Sequence, residues 1–180
     1  MLMYQHKAPH REWEPDPRPG LKHGGVMHSL LETTPHGVVA WGSTAENVDK
    51  IGLWLYEHGK GWRDLKPTGK LHAPYCDSEG IAYDGKRDRL LLGFGGGYAK
   101  KGDGSITSFD FKTRAIAKLT PASAELGRIS NTREMVYVDH ADWVVFAEPY
   151  KAGEGKAAKS YLRVYDCAAD AWRLLDVGPG

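Results

Sequence analysis

Cysteine is scarce in this chain, with two among 180 residues. Cys76 and Cys167 lie far apart and in no spacing typical of a metal site. A small disulfide-stapled domain needs several cysteines, so the sequence excludes that class and predicts two free thiols. Neither cysteine lies in a recognisable catalytic frame, and the chain has no Gly-x-Ser-x-Gly nucleophile elbow. These absences favour a protein without nucleophilic catalysis.

An excess of charge of one sign is also missing. The formal net charge is +1, the sequence pI is about 7.8, and no basic run is longer than a pair such as Lys100-Lys101. Binding to nucleic acid needs a concentrated basic face that neutralises phosphates. We therefore expect no nucleic-acid partner.

Long apolar runs are absent too. A membrane-spanning helix needs about 20 consecutive apolar residues, and no run approaches that length. The opening segment Met1–Lys7 lacks the apolar middle region of a secretory signal. We expect no membrane partner, and the sequence assigns no compartment. With 41% hydrophobic residues, the chain still has enough apolar side chains for a core.

The chain does contain a unit of about 54 residues that recurs three times. Each copy has a short apolar run entered from a turn, at 36–42, 88–96 and 142–147. Each copy then has an aromatic residue next to an acid, a tight turn and a large apolar residue. The aromatic–acid pairs are Tyr56-Glu57, Phe109-Asp110 and Tyr165-Asp166. This order predicts a hairpin of two antiparallel strands in every copy.

The full pattern predicts four strands in each copy. They span 28–32, 38–41, 51–56 and 62–65, then 80–84, 90–94, 105–109 and 115–119, and finally 135–139, 143–146, 161–166 and 171–176. Four-stranded meanders repeated at this period are typical of propeller blades. The predicted fold is all-β, a β-propeller fragment or half-propeller of three four-stranded antiparallel blades.

Three features resemble the kelch-type β-propeller, which is also found in the central domain of galactose oxidase. They are Gly95-Gly96 after an apolar strand, Tyr165-Asp166 before a hairpin, and Trp172 shortly after that pair. The second copy alone keeps the double glycine, since Gly42-Ser43 and Ala147-Glu148 stand at the equivalent places. The resemblance implies a ring of six or seven blades, of which this chain carries three.

The blade boundaries follow from the repeat. Residues 26–70 are predicted as blade 1, 71–122 as blade 2 and 123–180 as blade 3, while 1–25 form a leader or an outer strand of a preceding blade. Each blade relies on its neighbours, so three blades would leave apolar faces uncovered. Two arrangements remain open: two copies close a six-bladed ring as a homodimer, or the blades belong to a longer parent chain.

The candidate binding surface is the propeller face that carries the long loops. These loops are predicted at 43–50, 68–79, 95–104, 121–134 and 148–160. Long loops on a rigid scaffold are where binding groups collect. We therefore expect the ligand site on this face.

Register between the copies places Glu79 and Glu134 at equivalent positions near the central channel, with His28 beside them. Charged and polar neighbours flank this pair, namely Asp77, Asn131 and Arg133. In the long loops, Tyr98 and Tyr150 are candidates for stacking on a sugar or gripping a peptide. The eight residues together form the predicted ligand site.

Two functions fit this pattern. The first is a non-catalytic kelch-like module that binds a protein or a glycan through the long-loop face. The alternative is a propeller enzyme acting on a carbohydrate or similar polar substrate, with Glu79 and Glu134 as acid and base. The first is preferred, because a clear repeat is accompanied by no catalytic motif. His23 and His28 match no defined metal-binding spacing, so we expect no metal site and no cofactor.

Overall fold

The computed structural model describes residues 4–7, 12–15, 26–44, 47–58, 60–71, 80–93, 106–121, 135–152 and 159–179. Within them, side chains are described for 30–42, 51–58, 60–71, 80–93, 106–121, 135–146 and 160–178. The chain divides into two compact units, Met1–Pro67 with Leu71–Pro74, and Thr68–Lys70 with Tyr75–Gly180. The regular elements in the described residues are β-strands.

The first unit holds a hairpin and a four-stranded sheet. The hairpin pairs β1 (Tyr4–Lys7) with β2 (Glu12–Pro15). Sheet 1 is an antiparallel meander of β3 (Val26–Thr34), β4 (Gly37–Thr44), β5 (Asn47–Glu57) and β6 (Gly61–Asp64). Its buried side chains are large and apolar, among them Trp41, Leu53 and Leu55. Apolar residues on both faces of central strands are expected where a sheet is covered on both sides.

The second unit holds two further meanders. Sheet 2 consists of β7 (Ile81–Asp84), β8 (Arg89–Gly93), β9 (Ile106–Asp110) and β10 (Ile116–Lys118). Sheet 3 consists of β11 (Met135–Val138), β12 (Trp143–Ala152), β13 (Lys159–Asp166) and β14 (Ala171–Pro179). Strands lie in chain order in both sheets and are antiparallel. The predicted fold class, all-β with three four-stranded antiparallel sheets, is confirmed.

Sheets 2 and 3 pack face to face through a shared apolar core. Sheet 2 contributes Ala82, Leu91 and Ile106, and sheet 3 contributes a bulkier set, Met135, Val144, Phe146, Tyr165 and Cys167. The two sheets approach each other closely at Gly80, where an added Cβ would lie 2.4 Å from Cβ of Met135. Only glycine leaves room for the neighbouring sheet at this point.

Two of the predicted long loops are wrong. The segment 43–50 is mostly strand, because β4 runs to Thr44 and β5 begins at Asn47. The segment 148–160 is likewise shortened by β12, which reaches Ala152, and by β13, which begins at Lys159. Both pairs of strands continue beyond a register shift in their pairing. The shift breaks the alternation of apolar and polar residues by which a strand is recognised in a sequence. The segment 95–104 and most of 68–79 and 121–134 lie outside the described residues.

The described residues form no helix that is long and apolar enough to cross a membrane. The blade boundaries at residues 26, 71 and 123 stay proposals.

Candidate functional site at the short turns

The predicted ligand site falls largely outside what the structure describes. Asp77, Glu79, Tyr98, Asn131, Arg133 and Glu134 lie outside the described residues. His28 lies on β3, beside a register shift between Met27 and Leu30. Tyr150 was expected in a loop, but it lies on β12 opposite Tyr161, because β12 resumes its pairing after the shift that follows Phe146. The side chains of His28 and Tyr150 are not among those described, so the eight-residue site stays a prediction.

The described charged groups collect at the opposite end of the sheets, at the short turns. Three turns share the same hydrogen bond, in which a tyrosine hydroxyl donates to the carboxylate of an aspartate five residues later. The pairs are Tyr83 with Asp88, Tyr137 with Asp142 and Tyr165 with Asp170. The aspartates have φ of 48°, 58° and 49°, a left-handed conformation that Asp tolerates better than most residues. The tyrosine therefore fixes an aspartate at the end of each turn.

Asp142 uses this position to bind sheet 2. Nη1 and Nη2 of Arg87 donate to its two carboxylate oxygens at 2.7 Å each, a bidentate ion pair between the turns of sheets 2 and 3. Nη1 of Arg87 also donates to Oδ2 of Asp84 at 3.1 Å, and Nε of Arg89 donates to the same oxygen at 2.8 Å. Asp84 is fully buried. Two carboxylates and two guanidinium groups thus form a charge-balanced cluster, which we call the turn cluster.

Asp170 makes a second hydrogen-bonded contact between sheets 2 and 3. Its carboxylate accepts hydrogen bonds from the backbone N–H and the hydroxyl of Thr120, at 3.1 and 2.8 Å. The indole N–H of Trp172 donates to the carbonyl of Thr120 at 2.8 Å. Thr120 follows β10, so the segment that leaves sheet 2 is held on sheet 3. Two turn aspartates of sheet 3, Asp142 and Asp170, therefore fix the neighbouring sheet at two separate points.

The electrostatics of the turn cluster follow from these contacts. The Arg87 guanidinium holds the pKa of Asp142 at about 2, below its ordinary 3.8. The ion pair with Asp142 raises the pKa of Arg87 further above its usual value, although burial opposes it. Burial, followed by the hydrogen bond to Asp142, raises the pKa of Tyr137, and burial raises that of the Cys167 thiol to about 11. At neutral pH the cluster therefore holds ionised Asp142 and Arg87 beside a neutral phenol and thiol.

The donor groups of the turn cluster are engaged in ion pairs, although three of them also have a metal-like spacing. One ligand atom from each of Asp84, Asp142 and Cys167 lies within 4.8 Å of the others, a spacing that a metal ion could use. The carboxylates, however, already accept hydrogen bonds from Arg87 and Arg89. A thiol with a pKa of about 11 is also protonated at neutral pH, whereas metals bind the thiolate. The carboxylates and the thiol are therefore better suited to an ion-pair contact between the sheets than to binding a metal ion.

The depressed pKa of Asp142 predicts a loss of stability in acid. Because its pKa is about 2 in the folded chain against an ordinary 3.8, its stabilisation is present above about pH 4 and is lost as pH falls through about 2. The shift corresponds to about 2 kcal/mol. Urea unfolding between pH 6 and pH 2.5 should show a steeper fall for the wild-type chain than for Asp142→Asn. Parallel curves for the two proteins would contradict the assignment.

Sequence reasoning missed the turn cluster, although part of the signal was present. A tyrosine followed five residues later by an aspartate occurs at the three turns, and this pattern could have predicted a hydrogen bond that stabilises each turn. The bridge from Arg87 to Asp142 spans 55 residues and depends on the packing of two sheets, so no local pattern reveals it. The described charged chemistry lies at the short turns, whereas the prediction placed it at the long loops.

These observations define a propeller-like all-β protein, built of four-stranded antiparallel meanders joined in chain order. Among solved structures, the chain is similar to TolB from Acinetobacter baumannii, a β-propeller, with a TM-score of 0.53 and 15% sequence identity. The match covers 98% of this chain and 38% of the TolB chain. At this identity the similarity concerns the fold alone. No protein-family model and no curated protein matches the chain.

Proposed function

We propose that this chain is a non-catalytic propeller-like module that binds another protein. The fold supports the proposal, since propeller blades offer rigid surfaces for partners. The state of the described ionisable groups also supports it. The carboxylates and guanidinium groups of the turn cluster are engaged with one another, and the thiol of Cys167 is buried and neutral. None of these groups is poised for acid–base or nucleophilic work.

The observation that carries the proposal is the outer edge of sheet 3. β14 lies at the edge of its sheet and runs for nine residues, whereas the edge strand β10 of sheet 2 has three. Three large apolar side chains of β14 are exposed, Leu174 at 36%, Leu175 at 42% and Val177 at 48%. A long apolar edge strand is a template for strand addition by another chain. We infer that an extended segment of a partner protein pairs with β14.

Sheet 2 illustrates the same mode of binding within the chain. Thr68 forms a parallel bridge with Ala115 next to β10. The backbone N–H of Thr68 donates to the Arg114 carbonyl at 2.7 Å, and the N–H of Ile116 donates to the Thr68 carbonyl at 2.8 Å. One residue of the preceding segment, Thr68, therefore pairs with the outer edge of sheet 2. In the parts of the chain that the structure describes, no strand pairs with the outer edge of β14.

The test uses a displayed library of random peptides selected against the full chain. Recovered peptides should be extended sequences rich in β-branched and aromatic residues, and their affinities can be measured by fluorescence anisotropy. Leu174→Lys and Val177→Lys should each weaken binding at least tenfold. Ala169→Lys, at an exposed position in the turn before β14, is the matched control and should leave the affinity unchanged.

Two results would overturn this proposal. One is a library that yields no binding peptide at all. The other is a set of peptides whose affinity is the same for Val177→Lys and for the wild-type chain. Circular dichroism of each variant confirms that the β-sheet content is retained, so that weaker binding reflects the edge and not the fold.

Four more specific functional assignments rest on the sequence alone. They are the kelch-type resemblance, a glycan as ligand, the long-loop face as the binding surface, and acid–base chemistry at Glu79 and Glu134. If the two carboxylates were catalytic, Glu79→Gln would abolish hydrolysis of a glycoside without altering thermal stability. Those proposals are independent of the β14 edge.

A further inference from the structure

The backbone groups along the outer edge of β14 distinguish the two directions in which a strand can be added. This inference rests on the proposed pairing of a partner segment with β14. Alternate residues of an edge strand point their N–H and carbonyl groups away from the sheet. Sheet 2 shows which residues these are, because Thr68 pairs with the edge of β10. The Arg114 carbonyl accepts from the Thr68 N–H, and the Ile116 N–H donates to the Thr68 carbonyl.

The outer edge of sheet 2 begins with a single carbonyl. The N–H of Arg114 is used inside the turn, where it donates to the Asp110 carbonyl at 2.8 Å. The carbonyl of Ala115 points toward β9, because it accepts from the Asp110 N–H at 3.1 Å. The outward groups are therefore the Arg114 carbonyl, followed by both backbone groups of every second residue from Ile116 onward.

The hairpin between β13 and β14 has the same geometry. Its turn, 166–171, has the same length as the turn 110–115 of sheet 2, and both begin with aspartate and end with alanine. In each turn an N–H three residues later donates to Oδ1 of the aspartate, at 2.6 Å from Thr113 and 2.9 Å from Ala169. The residue before the final alanine has a left-handed φ of 60° in sheet 2 and 49° in sheet 3. Ala171 of sheet 3 therefore corresponds to Ala115 of sheet 2.

A bulge ends the regular part of the β14 edge. The neighbours Ser160 and Tyr161 of β13 pair with Gly178 and Asp176, so Val177 is an extra residue on β14. The Gly178 N–H donates to Oδ1 of Asp176 at 2.9 Å, and Gly178 has a φ of 100°. Such a bulge bends an edge strand and interrupts further pairing. We therefore expect a partner to pair with residues 171–176, and Val177 then lies at the end of the paired stretch.

Between the turn and the bulge, the outward groups of β14 follow a fixed order. The backbone of Ala171 faces β13, as that of Ala115 faces β9, and so do the backbones of the residues that alternate with it. The outward groups are the Asp170 carbonyl, then both groups of Trp172 and of Leu174, and then the N–H of Asp176. The order thus begins with a carbonyl and ends with an N–H.

A parallel partner can use all of these groups. Its alternate residues, beside Ala171, Arg173 and Leu175, would each donate to the preceding outward carbonyl and accept from the following outward N–H. Thr68 makes this pair of bonds on sheet 2. An antiparallel pair is in general slightly more stable per residue. On this edge, however, an antiparallel partner would form complete pairs only at the two central positions and would leave one of its own groups unused at each end.

The side chains of the edge add a requirement for charge. The Arg173 side chain is 55% exposed, and its Nη2 lies 2.6 Å from Oδ2 of Asp166. A guanidinium carries several N–H donors, so it can bind a second carboxylate beside the first. Leu174 and Leu175 follow it and are exposed. Since laterally neighbouring side chains of paired strands interact, an acidic residue fits beside Arg173 and apolar residues fit beside the two leucines.

From these observations we propose that β14 binds an extended segment of a partner protein in the parallel orientation, with an acidic residue beside Arg173 and apolar residues beside Leu174 and Leu175. The backbone groups set the direction of the segment, and the side chains set its pattern, an acidic residue followed by two apolar residues.

Spin-labelled peptides test the direction. The probe is the capped peptide Ser-Gly-Thr-Val-Glu-Ile-Val-Gly-Ser, with a nitroxide at one end or the other, added to the full chain labelled with nitrogen-15. The two ends of the stretch 171–176 lie about 17 Å apart, so the labels are distinguishable. A label at the peptide N-terminus should broaden the amide signals of Ala168 and Ala169, and a label at its C-terminus those of Val177 and Gly178. The reverse pattern would show antiparallel pairing and overturn the direction, while the β14 edge would stand.

The charge requirement is tested by replacing the glutamate of the peptide with glutamine. The glutamine peptide should bind the wild-type chain about three- to fivefold more weakly, the effect expected of an exposed ion pair. The two peptides should bind Arg173→Met alike, whereas Lys112→Met, an exposed cation in the turn of sheet 2, is the matched control and should keep the difference. Equal affinity of the two peptides for the wild-type chain would overturn the charge requirement without the use of any variant.

The failure of this inference can be told apart from the failure of the proposed function. If peptides selected from the random library bind at β14 but the designed peptide does not, the pattern is wrong and the docking edge stands. If neither the selected nor the designed peptides bind, the proposed function is wrong, and the direction and the pattern are overturned with it.

Discussion

Replacing Asp84 with alanine is expected to lower the free energy of unfolding by about 3–5 kcal/mol, because it removes the buried anion of the turn cluster. Asp84 is 0% exposed and accepts hydrogen bonds from Arg87 and Arg89. Without it, the guanidinium of Arg89, whose side chain is 15% exposed, keeps its charge but loses this partner. Urea denaturation monitored by tryptophan fluorescence measures the loss.

The matched control is Asp139→Ala. Asp139 lies on the exposed turn after β11, and its loss should change the free energy of unfolding by about 0.5 kcal/mol or less. Asp84→Asn keeps the shape of the side chain and should fall between the two. The double variant Asp84→Ala with Arg89→Met should recover part of the loss, because it removes the cation as well. Equal losses for Asp84→Ala and Asp139→Ala would show that the buried cluster does not hold the sheets.

The fold could be predicted because its signals are local. An aromatic residue, an acid and a turn, followed by a large apolar residue, specify a hairpin within a dozen residues, and β9, β10, β13 and β14 appear where this pattern placed them. The full lengths of β4, β5, β12 and β13 were missed for a local reason as well. A register shift interrupts the alternation, so the residues beyond it look like a loop in the sequence.

The turn cluster could be predicted only in part. The aspartate at the end of each turn could be predicted from the local sequence, because Asp142 has a left-handed backbone conformation that most residues avoid. The ion pair between Asp142 and Arg87 could not be predicted from the local sequence, because it depends on how sheet 3 packs against sheet 2.

The second large effect is expected at Gly80. A Cβ at this position would lie 2.4 Å from the Cβ of Met135 and 3.1 Å from its backbone nitrogen, distances that no small rotation relieves. Gly80→Ala should therefore lower the free energy of unfolding by about 3 kcal/mol, since overpacking forces the two sheets apart. Gly85→Ala is the matched control, because its Cβ would meet only Cε1 of Tyr83 at an ordinary 3.6 Å.

A double-mutant cycle separates this contact from other effects of the added methyl group. Met135→Ala alone should cost about 2–5 kcal/mol, because it leaves a cavity in the core between the sheets. Gly80→Ala should cost less in the Met135→Ala background than in the wild-type chain, because the rest of the methionine side chain no longer prevents the backbone of β11 from shifting. Gly93→Ala should be milder than Gly80→Ala, since its Cβ would meet the flexible Sδ end of Met135 at 3.1 Å. Strict additivity of Gly80→Ala and Met135→Ala would mean that the part of the Met135 side chain beyond Cβ does not restrict the backbone at this point.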